Sequence, residues 1–175
     1  MIFTKTKFRG VFIIEPEKLE DERGFFARMW DKKIFESNGL NSKINQCSIS
    51  FNKTKGTFRG MHYQNSPYEE DKLVRCTKGK IFDIIADLRP SSLTYKQWKG
   101  FELTEENHKM VYVPKGFAHG FQTLADNTEV FYQISQEFMS DYSKGFRWND
   151  PAFEIKLPLE ISVISQKDLS YEIFA

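Results

Sequence analysis

The sequence predicts a mainly-β fold, a jelly-roll sandwich or small barrel with a few short helices, and three observations carry that expectation. Turn-forming clusters recur at intervals of about ten residues, among them Lys78-Gly79, Arg89-Pro90-Ser91-Ser92, Glu105-Glu106-Asn107, Pro114-Lys115-Gly116 and Ala125-Asp126-Asn127. The segments between them are short and rich in β-branched and aromatic residues. Helix signals, by contrast, are sparse.

The clearest helix signal is 31–39, where Asp31 can cap a short helix and Gly39 can end it. Farther along, Arg59-Gly60-Met61-His62-Tyr63-Gln64 reads as strand. Regular alternation would put Arg59 and His62 on opposite faces, so one pocket can use both only if Gly60 breaks the pleat or one of them sits at a strand end. Lys72 opens a strand that continues through the apolar Leu73 and Val74. The run 80–88 is also strand, and its inner part, 81–86, is apolar on both faces, which calls for a core on one side and a second sheet or subunit on the other. Two further short strands are expected at 109–113 and 129–134; in the latter Val130, Tyr132 and Ile134 share a face. With no linker, repeat or low-complexity stretch, the expectation is one domain over 1–175.

Composition excludes several function classes. Lys and Arg number 25 against 24 Asp and Glu, a formal charge of +1, so no global field invites nucleic acid or an acidic membrane, and any anion must be held by a local cluster. Cys47 and Cys76 form neither a disulfide framework nor a metal-ligand spacing and read as reduced, partly buried thiols. No signal-peptide pattern opens the chain and no apolar run suffices to span a bilayer, so a cytoplasmic protein is expected. Aromatic residues make up 15% of the chain, more than one small core needs, which favours core plus a subunit interface, with a minority free to stack on a ring-shaped ligand.

Four segments could carry chemistry. The first places His62 three residues from Arg59, uniting a group that titrates near neutrality with an anion-binding guanidinium; a solvent-facing strand edge is the competing reading. Lys72 could hold its ammonium over a pocket and stabilise a negative oxygen, or snorkel to the surface after the acidic run Glu69-Glu70-Asp71. His119, between glycines in Pro114-Lys115-Gly116-Phe117-Ala118-His119-Gly120-Phe121, could meet an anion or a reacting oxygen, or be a satisfied core histidine. Tyr132 sits on an otherwise apolar strand face and needs a partner for its phenol, as either a core residue or an acid. A cupin-type metal site is not expected, because the chain has only three histidines and no His-x-His pair.

Taken together, these segments closely resemble the dTDP-4-dehydrorhamnose 3,5-epimerase family over 8–168. The carriers are Asp21-Glu22-Arg23-Gly24-Phe25-Phe26, the Arg59–Gln64 and Pro114–Phe121 stretches above, Lys72-Leu73-Val74-Arg75, Arg147-Trp148-Asn149-Asp150-Pro151 and Ile164-Ser165-Gln166-Lys167-Asp168. The resemblance implies a cupin-like jelly-roll homodimer, free of metal and cofactor, acting on a nucleotide-linked 4-keto-6-deoxyhexose in the supply of rhamnose for cell-surface polysaccharide. It implies His62 as base, Asp168 as the carboxylate paired with it, Lys72 near the keto oxygen and Tyr132 as the acid on the opposite face. It further implies that Arg23, Gln46, Arg59, His119 and Lys167 meet the nucleotide diphosphate, with Phe26 and Phe138 near base or sugar. Relatives exchange N-terminal strands, which adds to the expectation of a dimer.

Four positions depart from the family's usual residues: Arg28 and Ser143 stand where Glu is common, Ser48 where Asn is common and Phe138 where Tyr often stacks on thymine. All four are expected on the nucleotide side. Alternatives on the same fold are a mono-epimerase on another nucleotide sugar, a ketoisomerase that moves the carbonyl, and a binding protein without catalysis.

Overall fold

Short strands joined by tight turns can bury an apolar face only by stacking as sheets, and this chain builds two that face each other. The protein is described here by a computed structural model covering residues 1–174. The first half of the chain forms β1 (Ile2–Lys5), β2 (Phe12–Glu15), β3 (Lys18–Asp21), β4 (Gly24–Ala27), α1 (Lys32–Ser37), β5 (Gln46–Asn52), β6 (Thr57–Gln64), β7 (Lys72–Lys78) and β8 (Lys80–Asp87). The second half forms β9 (Trp98–Thr104), β10 (Met110–Val113), β11 (Phe117–Thr123), β12 (Thr128–Ile134), β13 (Ser143–Gly145), β14 (Val163–Ile164) and α2 (Gln166–Ser170). One sheet runs β1-β2-β10-β7-β12-β5, the other β13-β6-β11-β8-β9 with β14 added beside β6, and β3-β4 is a separate hairpin. The mainly-β, jelly-roll expectation holds.

The core lies between the sheets. Val74, Cys76, Val111, Val113 and Val130 from one meet Ile81, Ile85, Leu103, Phe117 and Phe121 from the other. Burying each such aliphatic or aromatic side chain contributes about 1.5–3 kcal/mol. Helix α1 covers the outside of the first sheet, setting Phe35 against Phe12, Ile14, Met110 and Tyr112. Asp31 caps it as expected, accepting a hydrogen bond from the Ile34 N–H at 3.2 Å, and Gly39 ends it with φ +73°.

Strand β8 is apolar on both faces for a different reason than expected. Ile81 and Ile85 face the central core, whereas Ile84 and Ala86 pack outward against Phe146, Phe153 and Ile155. The chain's own C-terminal segment covers that face, so the two-sided pattern does not call for a partner subunit. The thiols also part company: Cys47 is exposed, while Cys76 is fully buried and burial pushes its thiol up to about 12, leaving it unreactive. No helix is long and apolar enough to cross a membrane among the described residues.

Candidate active site

The site grows from a break in β6. In a regular strand Arg59 and His62 would point apart. Strand β11 pairs His119 with His62 and Phe121 with Arg59, so two steps on β11 face three on β6. The extra residue is absorbed around Gly60, whose φ of +142° is one that residues with side chains rarely adopt. Phe58 and Met61 therefore both enter the outer apolar cluster, while Arg59 and His62 line the same cavities. A Cβ on Gly60 would lie 2.6 Å from the Cα of Gly120, a backbone atom that cannot swing aside. Gly60→Ala is thus expected to cost roughly 2–4 kcal/mol in urea unfolding. An unfolding midpoint matching the wild type would show that the break does not depend on glycine.

The C-terminal segment brings Asp168 to this break. Strand β14 runs parallel to β6, pairing Val163 with Thr57 and Ile164 with Phe58, which starts α2 beside Gly60. Ser165 caps α2 by accepting the Asp168 N–H at 3.0 Å. Asp168 is 3% exposed; it meets His62 Nε2 at 2.7 Å and accepts the Gly60 N–H at 3.3 Å. Burial alone would push its carboxyl up, but the hydrogen bond and charge of His62, with the Gly60 N–H and Ser165, outweigh burial and hold it below the usual carboxylate value. An ionised Asp168 keeps the proton on Nε2, so Nδ1 carries the lone pair that can accept a proton.

The facing sheet supplies the opposing groups. Tyr132 comes from β12, its ring centroid 6.2 Å from His119 and 6.5 Å from Phe121. Burial, with Asp83 adding, pushes its phenol well above the ordinary tyrosine value, against a hydrogen bond from Ser50 that works the other way. Tyr132 therefore holds its proton throughout the neutral range. Lys72, at the start of β7, is largely buried, with Nζ 2.8 Å from Glu70 Oε1. Arg59 Nε donates to Asn52 Oδ1 at 2.7 Å, which fixes the guanidinium between the sheets.

Two adjoining cavities meet at these residues. The larger, about 490 Å³, is lined by Gln46, Phe138, Ser143, Lys167 and Asp168; the smaller, about 310 Å³, by Ser48, Ser50, His119 and Tyr132. Arg59, His62, Lys72 and Ile134 line both. One ligand can thus lay an anionic part against Arg59 and Lys167 and a small polar ring between His62 and Tyr132. Among the described residues, no group of three or more His, Cys, Asp or Glu side chains is placed to hold a metal ion.

Other expected residues line the smaller cavity or lie outside both. Ser48, expected on the nucleotide side, lines the smaller cavity and is the register partner of Tyr132. His119, expected at the diphosphate, is buried in that same cavity with Nε2 2.7 Å from Asp83 Oδ1. Arg23 and Phe26 lie in and beside the exposed β3–β4 hairpin, and Arg23 pairs with its neighbour Asp21. Arg28 follows the hairpin and bonds Asp31 at 3.2 Å. None of these three lines either cavity.

Other site residues were missed in the sequence. Asp83 sits on the inward face of β8 between Ile81 and Ile85, so an acid on a core-facing strand position was the available signal. Its Oδ2 is buried without a hydrogen-bond partner. Glu70 looked like part of an acidic loop, and nothing local distinguished it from Glu69.

Comparison with known proteins adds the chemical class. The family model described as dTDP-4-dehydrorhamnose 3,5-epimerase matches residues 5–175. A dTDP-4-dehydrorhamnose 3,5-epimerase of Methanothermobacter thermautotrophicus is 40% identical, over 97% of this chain and 92% of the relative. The crystal structure of the Bacillus anthracis dTDP-4-dehydrorhamnose 3,5-epimerase with TDP and PPi bound superposes with a TM-score of 0.95 at 37% identity, covering 99% of both chains. That of the Legionella pneumophila dTDP-6-deoxy-D-glucose-3,5-epimerase in complex with dTDP-4-keto-L-rhamnose gives a TM-score of 0.92 at 34% identity, covering 98% of this chain and 92% of the other.

Proposed function

This chain belongs to the dTDP-4-dehydrorhamnose 3,5-epimerase family, and from that premise we propose that it inverts C3 and C5 of dTDP-4-dehydro-6-deoxy-D-glucose between its two sheets. The observation that carries this reading is the placement of His62 on one sheet, paired with Asp168 from α2, opposite Tyr132 and Lys72 on the other. Inversion at carbon needs a proton removed on one face and delivered on the other. Facing sheets provide both.

The C4 ketone acidifies the C–H bonds at C3 and C5. His62 Nδ1 takes one such proton, and the electron pair moves onto O4 as an enolate. Asp168 stabilises the imidazolium, and the Lys72 ammonium stabilises the enolate oxygen. The Tyr132 phenol then protonates the same carbon from the opposite face and regains its proton from solvent, while the imidazolium gives one up. A second round inverts the other carbon. Arg59, Lys167 and Gln46 bind the diphosphate side and Phe138 stacks near the base.

Dissolving enzyme and substrate in D₂O tests this. Deuterium at both C3 and C5, with inverted product, is expected for the dTDP-linked sugar ahead of its CDP and GDP counterparts, and chelators should leave the rate unchanged. Carbonyl migration would instead indicate a ketoisomerase, and absence of label a binding protein.

The protein acts, on this reading, as a homodimer in which the β3–β4 hairpin reaches the partner's cavity. Support comes from the hairpin's exposed Leu19, Phe25 and Phe26 and from its separation from both sheets. Sedimentation at micromolar concentration should give a dimer. Mixing inactive Arg23→Ala and His62→Ala proteins through a dissociation step should restore about a quarter of the wild-type rate, since half the dimers are mixed and each has one intact site. A monomer, or no rescue, would overturn the arrangement.

A further inference from the structure

We propose that Glu70 is a positioning residue for Lys72, whose carboxylate aims the ammonium at the developing enolate; the inference rests on the epimerase reading above. A lysine carries a flexible four-carbon stem, and leaving it free forfeits most of its value as a fixed source of positive charge. Lys72 opens β7 with its backbone in register between Val113 of β10 and Ile134 of β12, but the sheet does not hold the far end of its side chain. What fixes its tip is Glu70, two residues earlier. Both side chains are largely buried, at 13% and 11% exposure, and Nζ lies 2.8 Å from Oε1.

The pair faces the ligand: Glu70 lines the larger cavity and Lys72 lines both. Arg59, His62 and Lys167 share these walls, so an unpartnered ammonium would be pushed away from the very place it is needed. Nor does the loop before β7 require this ion pair. Asp71 already ties it down, accepting from Asn41 Nδ2 at 2.8 Å, the Lys115 N–H at 3.1 Å and Ser135 Oγ at 3.1 Å. Gln64 Nε2 adds a bond to the Tyr68 carbonyl at 2.9 Å. The carboxylate of Glu70 is therefore free of that structural task.

A double-variant cycle between Glu70→Gln and Lys72→Met, read by deuterium exchange at C3 and C5 and by kcat, separates positioning from packing. Glu70→Gln keeps the shape and still accepts a hydrogen bond, so thermal unfolding and dTDP binding should stay near wild type. Its exchange rate and kcat should fall about 10- to 100-fold with KM little changed. In the Lys72→Met background, Glu70→Gln should change kcat by less than about threefold, because the group it acts through is gone. Unchanged or faster turnover in Glu70→Gln, or an equal loss repeated without Lys72, would overturn the inference while leaving the epimerase reading intact. An inactive wild type would overturn both.

Discussion

His62→Ala is expected to abolish deuterium exchange and product formation together, with a loss of kcat beyond the ~10²–10⁴-fold that a single acid–base group commonly supplies. The size follows from the site, where removing the imidazole also leaves the buried Asp168 carboxylate without its 2.7 Å hydrogen-bond partner. Asp168→Asn should be milder, about 10²–10³-fold, because the base remains but its tautomer is no longer fixed. The same variant carries a pH signature. Asp168 is held below its ordinary value in the folded protein, so its stabilising contribution is present above that ordinary value and is lost as pH falls through the lowered one. The melting temperature of the wild type should therefore drop more steeply below about pH 4 than that of Asp168→Asn. If His62→Ala exchanged protons at a near-native rate, the base would have to be another group.

Tyr132→Phe should separate two events that the wild type performs as one. The ring and its packing against His119 and Phe121 remain, so the loss of stability should be about 1 kcal/mol, the net worth of one hydrogen bond. His62, on the opposite sheet, can still form the enolate and return a solvent-derived proton to the same face. NMR in D₂O should then show substrate acquiring deuterium while inverted product forms at least ~10²-fold more slowly. Because burial keeps the phenol protonated, no gain of activity is expected on lowering the pH of the wild type. Equal loss of exchange and inversion would place Tyr132 in enolate formation instead.

The strands were legible where turn chemistry punctuates them: segments expected at 80–88, 109–113 and 129–134 appear as Lys80–Asp87, Met110–Val113 and Thr128–Ile134. The Asp31 cap was equally local. Three features were not. The cover on the outer face of β8 comes from a stretch that includes Phe153 and Ile155 and has no periodicity to read, since it forms no regular element. The break at Gly60 could be posed as a question but answered only by the register with β11. The place of Ser48 and His119 beside Tyr132 was not legible either, because strand order, which a single sequence does not display, puts β5 and β11 around Tyr132. Resemblance pointed to Asp168; no local pattern could have joined it to His62.

The separation of His62 from Asp168, 106 positions along the chain, also sets a timetable. At about 5–20 residues per second, a ribosome needs roughly 5–20 s to go from one to the other. Once Tyr132 has been made, the nascent chain holds its histidine, lysine and tyrosine but not the aspartate that completes the pair. The C-terminal helix is thus the last part to arrive and the one that arms the rest.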